Sequence, residues 1–230
     1  MTEVRFEKIG GRQIAYRHRE GSSPTLVFLP GYASDMEGNK ALALDAFAEE
    51  RRLSLLRFDY SGTGSSPGKF EHGTLDAWLE EALGVIDQLT QGPLVVVGSS
   101  MGGWLALHVA LRRPERVTAL VGIAAAPDFT KWGFPDGDTA ERQGLSRVFW
   151  ESGRKLLLLD QPLDISCPVR LLHGELDRDV PLEVAFRTLR ALRSADVQLL
   201  VIKGGGHRLS EPHEIDAILR TVAELLEPQS

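Results

Sequence analysis

The chain turns on Leu94-Val95-Val96-Val97-Gly98-Ser99-Ser100-Met101-Gly102-Gly103-Trp104. A short β-branched run stops at a G-x-S-x-G pentad, and a long apolar run of helical character follows at once. The pattern predicts a strand, a sharp turn and a helix, with Ser100 at the tip. A serine held in such a turn is strained, and its neighbours two places away crowd each other. Gly98 and Gly102 have no Cβ to clash there. The turn lifts the Ser100 hydroxyl off the sheet edge. It also aims the Met101 N–H at the place where an oxyanion would form. Ser99 stands at the wrong place in the pentad and reads as a turn residue. The pentad by itself also suits a plain Gly- and Ser-rich loop. The flanking strand and helix tell against that, and three further stretches add to them.

Outward from the pentad, strands alternate with helices. Val4 to Arg19 alternates around Gly10-Gly11, as a hairpin does. Thr25 to Leu29 is an apolar run of the kind buried on both faces. Asn39 to Arg51 reads as a helix and Leu53 to Phe58 as a strand. Thr74 to Leu89 reads as a helix with Thr74 as N-cap and Asp76 in its first turn. Val117 to Ala126, Val169 to His173 and Val197 to Ile202 supply further strands, and a helical stripe runs from Ile215 to Leu226. The order predicts an α/β protein with a mostly parallel sheet flanked by helices, and residues 1–230 read as a single domain. In such sheets ligands sit beyond the carboxyl ends of the strands. Residues 127–166 form the one long interruption, and Thr139 to Leu159 suggests one or two helices in it. Insertions of this size commonly act as lids. Gly62-x-Gly64 resembles a dinucleotide loop only in part. Pro67 stands where a third glycine is needed and no helix opens after it, so a structural turn is expected.

Composition narrows the field. Of 230 residues, 43% are hydrophobic and 25% charged, which is ordinary for a globular protein. The net charge of −6 and the lack of a basic run argue against a nucleic-acid partner. The lone Cys167 cannot form an internal disulfide and fits a reducing compartment. Met1 to Glu20 mixes charged and apolar residues like neither a signal nor a transit peptide. No apolar run approaches the roughly 18 residues a membrane span requires. A cytoplasmic protein with no integral membrane segment is the expectation.

The chemistry gathers at three strand ends. Ser100 follows one strand. His173-Gly174-Glu175-Leu176-Asp177-Arg178-Asp179-Val180-Pro181 follows another, and Gly204-Gly205-Gly206-His207 follows the last. A serine hydroxyl needs a base at neutral pH, and His207 can take its proton and later return one to a leaving group. Asp177 would hold the other imidazole nitrogen. The catalytic residues expected are therefore Ser100, Asp177 and His207. Asp179 and Asp128 compete with Asp177 for the acid role. Asp179 lies nearer the next helix start, where a carboxylate makes a natural cap. The oxyanion-hole donors expected are the backbone N–H groups of Tyr32 and Met101; Pro30 has no N–H to offer. His108 and His173 read as structural, and His18, His72 and His213 have no partner pattern. Neither H-E-x-x-H nor paired cysteines occur, so no metal and no cofactor are expected.

Together these stretches resemble the α/β-hydrolase superfamily, over nearly the whole chain from Thr25 onward. A narrower likeness rests on Phe28-Leu29-Pro30-Gly31-Tyr32, Lys40-Ala41-Leu42-Ala43, Arg57-Phe58-Asp59-Tyr60-Ser61-Gly62, Gly98 to Trp104 and Cys167 to Gly174. These are similar to the family of mitochondrial palmitoyl-protein thioesterases that also act as acyl-glucuronide esterases. The lack of a presequence pattern suggests a bacterial-type relative. The resemblance implies a serine hydrolase of acyl thioesters or esters, S-depalmitoylase-like, on a small-molecule or lipidated acyl substrate. The alternatives are a carboxylesterase or acyl-glucuronide esterase on small esters, an acyltransferase, or a binding protein on a hydrolase scaffold. The resemblance implies the same triad on Ser100, Asp177 and His207.

Overall fold

In the computed structural model, which describes residues 2–227, eight strands form one sheet. They are β1 (Arg5–Ile9), β2 (Arg12–Arg19), β3 (Ser22–Leu29), β4 (Leu53–Phe58), β5 (Leu94–Ser99), β6 (Val117–Ile123), β7 (Val169–Gly174) and β8 (Val197–Ile202). Their order across the sheet is β1-β2-β4-β3-β5-β6-β7-β8. β2 pairs antiparallel with both β1 and β4, and every other pairing is parallel. The hairpin expected around Gly10-Gly11 is β1–β2, and both glycines have positive φ.

The period of two along the strands decides which helix packs where. On β3, Leu26 and Phe28 face a layer with α1 (Asn39–Arg51) and α8 (Pro212–Leu226). Val27 and Leu29 face the other layer, with α2 (Leu75–Leu89) and α3 (Met101–Arg112). Strands so covered on both sides need continuous apolar sequence, and Leu26–Leu29 of β3 and Leu94–Val97 of β5 have it. Thr74 caps α2 as expected, its hydroxyl accepting from the Ala77 N–H at 3.3 Å. α7 (Leu182–Ala191) lies against β7 and β8.

The turn at Gly62-x-Gly64 has a structural reason. Asp59 follows β4, buried, and its carboxylate accepts from Met36 N–H and Ser65 N–H, each at 2.7 Å. Gly64 has φ +47°, and a Cβ on it would lie 2.2 Å from Asp59 Oδ2. One carboxylate thereby ties the loop after β3 to the loop after β4.

The 127–166 insertion holds three short helices, α4 (Phe129–Trp132), α5 (Gly137–Arg142) and α6 (Arg147–Arg154). The helix expected to reach Leu159 stops at Arg154. The Leu156–Leu159 backbone is spoken for by the body. Leu156 C=O accepts from Trp104 Nε1–H at 3.1 Å and lies 2.9 Å from His108 Nε2. Leu158 and Leu159 N–H groups donate to the Asp128 carboxylate, each at 2.8 Å. Those bonds replace helical ones, so the segment leaves the helix as irregular chain.

Candidate active site

The elbow is built as tightly as its glycines suggest. Ser100 has φ +54° and ψ −117°, a conformation a non-glycine residue adopts only when its surroundings enforce it. A Cβ on Gly98 would lie 2.3 Å from Gly102 O, and one on Gly102 would lie 2.0 Å from Leu29 O. The elbow therefore nests against the end of β3 as well as against itself. Ser100 N–H donates to Ile123 O, and Ala126 N–H donates back to Ser100 O, locking the turn to β6.

β7 and β8 bring the other two groups. Asp177 Oδ1 accepts from Asp179 N–H at 2.9 Å and Val180 N–H at 2.8 Å. Its other oxygen, Oδ2, lies 2.9 Å from His207 Nδ1. His207 Nε2 lies 3.0 Å from Ser100 Oγ. A carboxylate only accepts, so Nδ1 carries the proton and Nε2 presents its lone pair to the serine hydroxyl. Burial alone would push the Asp177 carboxyl up. The His207 N–H and the Val180 and Asp179 amides outweigh it, and Asp177 lies below the usual carboxylate range. The side chain of Asp177 is 1% exposed and that of His207 21%, so the relay runs from a dry end to a wet one.

The two loops are tied to each other. Leu176 N–H donates to Gly205 O at 2.8 Å, and Gly204 N–H donates to Glu175 Oε2 at 3.0 Å. A Cβ on Gly174 would lie 2.4 Å from Gly205 O, which explains the glycine at 174. Lys40, on α1, donates to Arg208 O and steadies the residue after His207.

The other acids go elsewhere. Asp128 is fully buried under the insertion, where it holds Leu158 and Leu159. Asp179 does not cap α7: the cap position is Pro181, with no side-chain bond, and Asp179 stands exposed at the cleft mouth. Asp177, Asp179 and His207 can each place one ligand atom within 4.8 Å of the others. Both Asp177 oxygens and both His207 nitrogens already have partners in the relay. The group is therefore occupied as a hydrogen-bonding chain.

Gly31 passes close beside the elbow, since a Cβ on it would meet Ser100 Cβ at 3.3 Å. That contact brings the loop carrying Tyr32 to the serine. Among the described residues, neither the Tyr32 N–H nor the Met101 N–H has a protein acceptor. Met101 opens α3, whose N-terminal end carries partial positive charge. A cleft of about 430 Å³ rises over Ser100 and His207. Phe129, Trp132, Phe134 and Leu145 of the insertion line one side, and Arg178 and Asp179 stand on the other. The insertion residues carry a sequence signal as apolar groups in a segment expected to act as a lid over the pocket, whereas Arg178 has none beyond its place after a strand end.

A serine elbow, an imidazole and a buried carboxylate on the ends of a mostly parallel sheet define the class of α/β hydrolases. Known proteins agree. A family model described as alpha/beta hydrolase fold matches residues 24–143. The human protein named palmitoyl-protein thioesterase ABHD10, mitochondrial, is 38% identical over 239 residues, covering 94% of this chain and 78% of that one. Alpha/beta hydrolase domain-containing protein 10 from mouse superposes with a TM-score of 0.93 at 33% identity, covering 98% of each chain. A solved chain from Agrobacterium vitis S4 gives 0.92 at 34% identity, covering 99% of this chain and all of that one. The chain belongs to the alpha/beta hydrolase family. Among the described residues no helix is long and apolar enough to cross a membrane.

Proposed function

We propose that this protein is a serine hydrolase that cleaves acyl thioesters or esters through an acyl-enzyme on Ser100. The observation that carries the reading is the continuous relay, 3.0 Å from Ser100 Oγ to His207 Nε2 and 2.9 Å from His207 Nδ1 to Asp177. Ser100 Oγ attacks the acyl carbon while His207 Nε2 takes the hydroxyl proton. The carbonyl oxygen becomes an oxyanion, and the free N–H groups of Tyr32 and Met101 are the donors we assign to it. The bond to the leaving group breaks as His207 returns the proton to it. A water molecule then gives a proton to His207 and attacks the acyl-enzyme, and the acid leaves as the bond to Ser100 Oγ breaks and His207 returns that proton to Oγ. Asp177 stabilises the imidazolium in both halves.

The substrate reading is an acyl thioester of the S-palmitoyl type, with a carboxylesterase or acyl-glucuronide esterase as the alternative. The aromatic wall of the cleft and the thioesterase names of the mitochondrial relatives favour the first. Thiolates also leave more readily than alkoxides, since a cysteine thiol has a pKa of about 8.5. The exposed Arg178 and Asp179 at the mouth suit a polar leaving group and keep the second in view. The reading takes the chain as one domain acting in the cytoplasm, against relatives whose names place them in mitochondria. Ser100→Ala is expected to lower turnover of an activated ester by about 10⁴-fold or more, with the melting temperature unchanged. Retained turnover would contradict the mechanism. Comparing a long-chain acyl-thioester peptide, a short ester and an acyl glucuronide decides the substrate class. A marked preference for the short ester would retire the depalmitoylase reading.

A further inference from the structure

We propose that His173 is a positioning residue that keeps the Asp177 carboxylate turned toward His207. The inference rests on the Ser100–His207–Asp177 reading and adds a fourth residue behind it. His173 is the next-to-last residue of β7, and its side chain is 1% exposed. Its Nε2 lies 2.9 Å from Val180 O and 3.5 Å from Asp177 Oδ2. A carbonyl oxygen only accepts, so Nε2 carries the proton and donates it to Val180. The N–H of that same Val180 donates to Asp177 Oδ1. His173 thus fixes from below the residue whose amide grips the acid, and a single N–H edge also faces the oxygen that binds His207.

Packing does not explain an imidazole here. His173 Nδ1 is buried with no hydrogen-bond partner among the described residues. A buried ring nitrogen without a partner is unfavourable, and a phenyl ring would fill much of the same space without one. What the phenyl ring lacks is the Nε2–H. Without that donor, the turn from Gly174 to Val180 keeps its tie to Gly205 but loses its inner anchor. The Asp177 carboxylate can then drift relative to the imidazole, and the guanidinium of its neighbour Arg178 offers it another partner. Displacing a catalytic group by about 1 Å costs on the order of 100-fold in rate.

The test compares His173→Phe and His173→Gln with wild-type protein on an activated ester. The phenyl variant is expected to lose roughly 10- to 100-fold in kcat, with KM within about twofold of wild type. The glutamine variant keeps an N–H donor at similar reach and is expected to recover most of the loss. Wild-type kcat in the phenyl variant would overturn the proposal, as would a glutamine variant no better than phenylalanine. Should the phenyl variant fail to fold, the ring nitrogens of His173 in the wild-type protein decide the matter. Nitrogen-15 shifts are expected to show the Nε2–H tautomer, and an Nδ1–H tautomer would overturn the proposal. That readout does not depend on turnover. Labelling of Ser100 by a fluorophosphonate in wild-type protein reports separately on the catalytic reading.

Discussion

The rim that carries the relay and the roof over the cleft are built on opposite plans. At the rim, the loops after β7 and β8 lock to each other and the elbow locks to the end of β6, through backbone bonds and through glycines whose missing Cβ atoms would strike backbone. In the roof, residues 127–166, the polar fastening is at the ends and the middle is held mainly by a few buried side chains. Asp128 and the Trp104–His108 pair hold the far end at Leu156–Leu159. Ser152 of α6 accepts from Asp76 N–H at 2.8 Å and donates to the Asp76 carboxylate at 2.9 Å. Between Gly133 and Ser146 most residues are exposed, and the chain is held by Ala140 and Leu145 buried against the body and by exposed pairs of Arg147 with Asp138 and Glu141. Chemistry demands a fixed geometry of a few atoms, whereas recognition of an acyl chain demands only an apolar wall.

Substitutions can break that contrast. Gly102→Ala puts a methyl group 2.0 Å from Leu29 O, against backbone that cannot retreat. It is expected to destabilise the protein by about 4 kcal/mol or more, measured by chemical denaturation, and a near-neutral result would mean the elbow is slack.

His108 sits where roof meets body, and burial lowers its pKa from 6.5 to about 4. Its folded value lies below its unfolded one, so the stability it contributes is fully present above pH 6.5 and falls as pH drops toward 4. The loss amounts to about 3 kcal/mol across that window. Denaturation at both ends of the window should show His108→Asn losing that much less than wild type on acidification. An identical loss would mean that His108 does not couple roof stability to pH.

Gly144, in the middle of the roof, has φ +85°, but a methyl group added there would meet nothing within 4 Å. Gly144→Ala is expected to cost only about 1 kcal/mol, and a cost matching Gly102→Ala would erase the distinction between the regions. The smallest effect is expected at Phe134, which lines the cleft and stacks edge-on to Phe129 at 6.3 Å. Phe134→Ala should move kcat/KM toward longer or bulkier acyl chains by about fivefold while leaving the melting temperature nearly unchanged. A uniform fall across an acyl-length series would mean that the roof does not select.

The same contrast explains what was legible in the amino-acid sequence. The elbow could be read because its strain admits few residue types, and Gly98 and Gly102 announce it. The strands could be read because burial on both faces leaves an apolar run, as along Thr25 to Leu29. Asp177 outranked Asp179 from its place at the loop tip, and the structure puts Asp177 against His207. Asp179 is not the cap because a local rule meets a tertiary demand: the loop turns inward to grip Asp177, and α7 starts at Leu182 with Pro181 at the cap position. Leu156 to Leu159 reads as helical because leucine suits a helix, but Asp128, some thirty residues earlier, takes the amides of Leu158 and Leu159. A bond across such a span leaves no periodic trace. His173 read as merely structural, since its partner is a backbone carbonyl that sequence does not display.

The central claim is that Ser100 is made nucleophilic by His207 and Asp177. Its most direct test is covalent labelling of wild-type protein with a fluorophosphonate, followed by mass spectrometry of the peptide spanning residues 94–112. The expected result is one equivalent of adduct, carried on Ser100, with labelling slowed severely in His207→Ala. Failure to label, or an adduct on Ser99 instead, would contradict it.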